Sequence, residues 1–215
     1  MGNRCLEPNA AEMESDLIDE LRRLHGVHTV ILYGSHARGE AMAESDVDVA
    51  AFADINATKR DARVWNGVYL DAFVYPTATL TKTPELEMLK LCGGRVLLDE
   101  LNLTAGLFEA LTALEAAGPP APPEGHAQML RVWARKMLSR IQRADVEAHY
   151  RYHWLLYQLL EDYFTLRGQW YRGPKLALAE LQNREPATYT AFARALAPDA
   201  PLEAIEVLVD VVGGR

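Results

Sequence analysis

The apolar positions in the first half of the chain fall in short blocks separated by polar and turn residues. HTVILY (28–33), DVDVAAFA (46–53) and GVYLDAFVY (67–75) are rich in β-branched or aromatic residues, and each is read as a strand. RVLLD (95–99) has the same character and reads as a fourth, edge strand. Around these blocks the period lengthens to that of a helix. Leu17, Leu21 and Leu24 share one face of a helix from Asp16 to about His25, which Ser15 can cap. Pro84 suits the first turn of a helix through Lys90, and Thr104 to Ala116 forms another that Gly118 ends.

The second half carries no strand signal before its last helix. From His126 to Arg167 there is no Gly or Pro. Apolar residues recur there at helical spacing, at Leu130, Trp133, Met137 and Ile141 and again at Leu155, Leu156, Leu159 and Phe164. The run is too long for one ordinary globular helix, so two are expected, broken near Asp145–His149. Shorter helices follow at 174–183, 186–196 and 201–212. Between the halves, GPPAPPEG (118–125) places four prolines in eight residues and reads as a stiff linker. The predicted fold class is α+β. Residues 1–118 form a domain with a short mixed sheet flanked by helices, and residues 119–215 form an all-α helical bundle.

Charge divides at the same place. Residues 1–118 hold 10 Lys/Arg against 19 Asp/Glu, and residues 119–215 hold 12 against 11, within a total net charge of −8. That balance argues against broad nucleic-acid binding, which needs basic surface to replace counterions. Cys5 and Cys92 match no metal spacing and no disulfide framework. With no signal peptide and no span long enough for a membrane, the expectation is a cytoplasmic protein.

The candidate chemistry lies in LYGSHARGEAMAESDVDVA (32–50). Asp46 and Asp48 stand in an apolar run where carboxylates are costly. Positions i and i+2 of a strand share a face, which places the two acids roughly 6–7 Å apart. They repel and raise each other's pKa unless a cation intervenes. Mg²⁺, a hard ion with oxygen ligands, suits them. Asp71 interrupts the neighbouring apolar block, and strand pairing would bring it to the same face. Three acids there suit two metal ions. Gly34-Ser35, at the end of the preceding strand, would allow close backbone approach and open a short helix able to receive phosphate. Phosphates beside metal-binding acids describe nucleoside triphosphate chemistry.

In order, GSHARGEAMAESDVDV followed by LDAFV resembles the signature of the DNA polymerase β-type nucleotidyltransferase superfamily. The resembling elements fall on Gly34, Ser35, Arg38, Gly39, Asp46, Asp48 and Asp71. A second stretch, LRGQWYRGPKLALAEL (166–181), resembles the C-terminal bundles of small bacterial antibiotic nucleotidyltransferases of the aminoglycoside and lincosamide type. The resemblance implies transfer of a nucleoside monophosphate, AMP from ATP or its equivalent from another NTP, to an acceptor hydroxyl, with release of pyrophosphate. It implies that Asp46 and Asp48 bind two Mg²⁺ ions and that Asp71 completes the metal site or acts as base. Gly34, Ser35, Arg38 and Lys175 would contact the nucleotide, with Lys175 contributing from the bundle. The acceptor would be a small molecule, with no membrane partner, and a homodimer is compatible with the reading.

Each residue also has a plainer reading. Asp71 can be an acid paired with an arginine, Arg38 can salt-bridge within the fold, and Lys175 can be a solvated lysine at a helix start. Arg143 to His149 faintly resembles the Arg…His pair of HEPN-type ribonucleases, which opens an alternative: an antitoxin-like protein or RNA adenylyltransferase. A nucleotide-binding module without catalysis is a further alternative. Trp133, Trp154 and Trp170 are read as bundle core.

Overall fold

The computed structural model describes residues 10–42, 44–143 and 145–214. Cys5 lies outside them. By its internal contacts the chain divides into two compact units, Met1–Ala117 and Gly118–Arg215. Among the described residues no helix is long and apolar enough to cross a membrane.

The first unit is a mixed five-stranded sheet with helices. Its strands are β1 (Val27–Tyr33), β2 (Val47–Ala53), β3 (Lys59–Trp65), β4 (Val68–Pro76) and β5 (Arg95–Asp99), in spatial order β3-β4-β2-β1-β5. Only β2 and β4 pair in parallel; the other neighbours are antiparallel. Helix α1 (Ala10–His25) covers one face, where Leu17 and Leu21 pack on Val30, Leu32, Val49 and Ala72. The other face carries Ile31, Ala50, Phe52 and Tyr75. It packs beneath a 3₁₀ turn (Leu86–Leu91) and α3 (Thr104–Ala117), through Met88, Leu91, Leu107 and Leu111.

Four expectations change here. Helix α1 begins at Ala10, so Ser15 lies within it and caps nothing; AAEME is made largely of strong helix formers. Pro84 precedes a 3₁₀ turn and opens no α-helix, because six residues before Gly93-Gly94 leave room only for a tight turn. β2 begins at Val47, which leaves Asp46 just outside the strand. A strand was missed altogether. KRDARVW forms β3 and joins β4 through Asn66-Gly67, both at positive φ (48° and 84°). That two-residue turn matches the right-handed twist of a hairpin.

The second unit is helical: α4 (His126–Ile141), α5 (Val146–Thr165), α6 (Pro174–Arg184), α7 (Pro186–Ala195) and α8 (Leu202–Gly213). Asp145 caps α5 by accepting a 2.8 Å hydrogen bond from the Ala148 amide. The core is built from Leu155, Leu159, Tyr163 and Phe164 of α5 with Met137, Leu181, Phe192 and Ile205. Trp133 packs against this core, but Trp154 is about half exposed beside exposed Tyr150 and Tyr157 and is not core.

Candidate active site

The site begins where β1 ends. Tyr33 pairs with Asp48 across β1 and β2, and Asp48 pairs with Asp71 across β2 and β4. Tyr33, Asp48 and Asp71 therefore form one row across three adjacent strands, with backbones about 5 Å apart at each step. Gly34 follows Tyr33 at φ +71°, and a Cβ there would lie 2.2 Å from Asp48 Oδ2. Only glycine accommodates both that conformation and a carboxylate against its α-carbon.

Asp48 is half-buried, and its pKa is raised, chiefly by burial and then by the charges of Asp71 and Asp46. The three acids thus share one electrostatic field, although Asp46 is exposed at the strand's entrance. Both oxygens of Asp71 accept hydrogen bonds from one guanidinium, Arg60 Nε at 2.7 Å and Nη2 at 2.8 Å. Among the described residues no group of three or more His, Cys, Asp or Glu is gathered closely enough to hold a metal ion. The donor set nonetheless has the right chemistry. Asp48 and Asp71 are hard oxygen donors on facing strand positions, and the repulsion that adds to burial in raising Asp48's pKa is what a divalent cation would relieve.

A second row lies one step along the strands. Phe73 pairs with Ala50 and with Arg60, and its ring receives two cations. Lys90 Nζ sits 3.8 Å from its centroid and Arg60 Cζ 5.2 Å away. Lys90 also lies 5.5 Å from the Tyr33 ring and 5.7 Å from the Tyr75 ring, so three aromatics surround its ammonium. Burial lowers the Lys90 pKa, while the charges of Glu87, Asp71 and Asp48 act the other way. The Tyr75 hydroxyl is buried without a hydrogen-bond partner, and burial pushes its pKa up to about 12. Tyr33 is raised further by burial and by Asp48.

The remaining predicted residues are more dispersed. Ser35 is half-buried in α2 (Gly34–Arg38), a five-residue turn too short to sum a helix dipole. Arg38 bonds to Glu40 at 3.0 Å, its plainer reading. Lys175 is exposed in the first turn of α6 in the helical unit and is no part of what the first unit builds by itself. Arg143 pairs with Asp145 at 2.7 Å and Glu147 at 3.4 Å, beside the start of α5. Sequence reasoning missed Arg60 and Lys90. Asn66-Gly67 between two alternating blocks was the available signal for the first. Lys90 lies on a turn whose fold follows from tertiary packing.

Residues 14–88 match a family model described as the nucleotidyltransferase domain. The span holds Gly34, Ser35, Asp46, Asp48, Arg60 and Asp71 and ends just short of Lys90. No curated protein matches the chain. Among solved structures, a nucleotidyltransferase-like protein from Exiguobacterium sibiricum 255-15 aligns over 95% of this chain and 73% of its own length. Its TM-score is 0.41 and its sequence identity 12%, a likeness too slight to bear on function.

Proposed function

We propose that this chain, whose residues 14–88 match the nucleotidyltransferase domain, transfers a nucleoside monophosphate, AMP from ATP, to a hydroxyl of a small molecule and releases pyrophosphate. The observation that carries the reading is the in-register pair Asp48 and Asp71 on parallel strands, with Asp48 packed against a glycine at positive φ. An acid pair serving only solubility would need no such constraint.

In this reading Asp48 and Asp71 would hold divalent metal, with Asp46 adding negative potential at the entrance; bound Mg²⁺ would neutralise phosphate charge and polarise the phosphorus. Arg60 orients the Asp71 carboxylate through two parallel hydrogen bonds. Each carboxylate oxygen keeps a further lone pair, so Asp71 can accept the acceptor's hydroxyl proton without releasing Arg60. The acceptor oxygen then bonds to the α-phosphorus, and the bond to the bridging oxygen of the β-phosphate breaks. Gly34 and Ser35 flank Asp48 on the β1 side and are assigned to the triphosphate. Lys90, a fixed cation one row away, adds positive potential where negative charge develops. Positioning and electrostatics supply the rate, with no covalent intermediate on the protein. The net charge of −8 supports a small acceptor over a nucleic acid.

The test is Mg²⁺-dependent pyrophosphate release with the four NTPs across a hydroxyl-compound panel, repeated with Asp48→Asn and Asp71→Asn. The expected outcome is release that both substitutions abolish. Full turnover in Asp48→Asn would remove the assignment.

A further inference from the structure

The helical unit contains a buried carboxylate that its own fold leaves half-bonded. Asp162, on α5, is 2% exposed. Its Oδ1 accepts a 3.0 Å hydrogen bond from Gln158 Nε2, and its Oδ2 is buried without any partner. A buried carboxylate oxygen left without a donor is costly. Burial raises the Asp162 pKa, with Gln158 the main opposing influence.

Asp162 lines a cavity of about 120 Å³ between α4, α5 and α8. About half of the remaining lining is apolar, from Leu130, Ala134, Leu166, Val209 and Val212, and Gln128 adds a side-chain amide. Two arginines also line it, and both are committed elsewhere. Arg131 Nε donates to the Gly213 carbonyl at 2.9 Å, and Arg135 Nη2 pairs with Asp210 at 3.1 Å. Neither supplies the missing donor to Asp162. The space is close to that of an engineered apolar cavity of about 150 Å³ that takes up benzene. One water could bond to Oδ2 but would leave the apolar lining against water and the carboxylate without a cation.

We propose that this cavity binds a small primary amine. Its ammonium donates to Asp162 Oδ2, and its short alkyl body lies against Leu130, Ala134, Val209 and Val212. An ammonium meets both deficits, because it brings the absent donor and the compensating charge in one charge-assisted hydrogen bond. The site draws only on residues of the helical unit and does not depend on the nucleotidyl-transfer reading.

The test is calorimetric titration of the full chain in amine-free phosphate buffer with methylamine, n-propylamine and n-butylamine, and with n-propanol as the neutral counterpart. Saturable binding of propylamine or butylamine is expected, at least ten-fold tighter than propanol and weakened at least ten-fold by Asp162→Asn. Ala134→Leu, which fills the cavity and leaves the carboxylate, is expected to abolish binding while the protein stays folded by circular dichroism. It keeps the question open to refutation if Asp162→Asn does not fold. Absence of saturable amine binding, equal binding of propanol, or amine binding unchanged in Ala134→Leu would each overturn the proposal.

Discussion

Replacing Gly34 with alanine tests whether the glycine-against-carboxylate contact is the organising feature of the site. The backbone at 34 has φ +71°, and an L-residue there costs about 1–2 kcal/mol. The new Cβ would also stand 2.2 Å from Asp48 Oδ2, with Asp48 Cγ at 3.1 Å. Ordinary contact requires at least about 3.4 Å, so the carboxylate must retreat by roughly 1 Å. A displacement of that size in a catalytic group costs about 100-fold in rate. Gly39 supplies the control: its φ is +70°, and a Cβ there would meet nothing within 4 Å. Gly39→Ala therefore carries the backbone strain without the collision. The assay is urea unfolding of both variants beside Mg²⁺-dependent pyrophosphate release and calorimetric ATP binding. Both variants are expected to lose about 1–2 kcal/mol of stability. Only Gly34→Ala should lose about 100-fold in activity. Equal activities in the two variants would refute the reasoning.

Three further outcomes follow from the same geometry. The Asp48 pKa is raised in the fold from 3.8, so its contribution to metal-free stability is present below that pH and is lost as pH rises through the raised value. Asp48→Asn should accordingly be more stable than the parent at neutral pH without Mg²⁺, and similar to it in acid, by thermal melts from pH 3 to 8. Arg60→Gln should lower metal-free stability slightly, because it removes a two-point contact from Asp71 at an exposed position, and Mg²⁺ should restore part of the loss; Arg60→Lys, which lacks the fork, should recover little. Lys90→Met keeps the stem's packing but removes the ammonium from the Phe73 ring, and should cost about 0.5–2 kcal/mol in chemical denaturation.

The sheet acids were legible because strand alternation and apolar composition are local signals. β1, β2, β4 and β5 were readable for that reason, as were the breaks between the bundle helices. β3 was not, because KRDARVW is half charged and lies at an edge, where its outward residues face water. Its turn, Asn66-Gly67, carried the information that its composition concealed. Arg60 was lost with the strand. Lys90 and the unpartnered Asp162 oxygen were illegible for a deeper reason. Each owes its character to which apolar groups surround it, and no local pattern encodes that.

The hairpin that carries Arg60 also bears on the order in which the site assembles. Arg60 and Asp71 are 11 residues apart, and a two-residue turn closes them. Asp48 and Asp71 are 71 − 48 = 23 residues apart and meet only when two parallel strands align around the intervening hairpin. Chain closure favours the shorter loop by about 0.6 kcal/mol, and isolated hairpins close in about 1–10 μs, ahead of parallel pairing. Loop length therefore favours an order in which Asp71 meets its guanidinium before a second carboxylate. On that order the repulsion between Asp48 and Asp71 develops with Arg60 already bonded to Asp71, so the hairpin acts as an internal chaperone for the charge it carries.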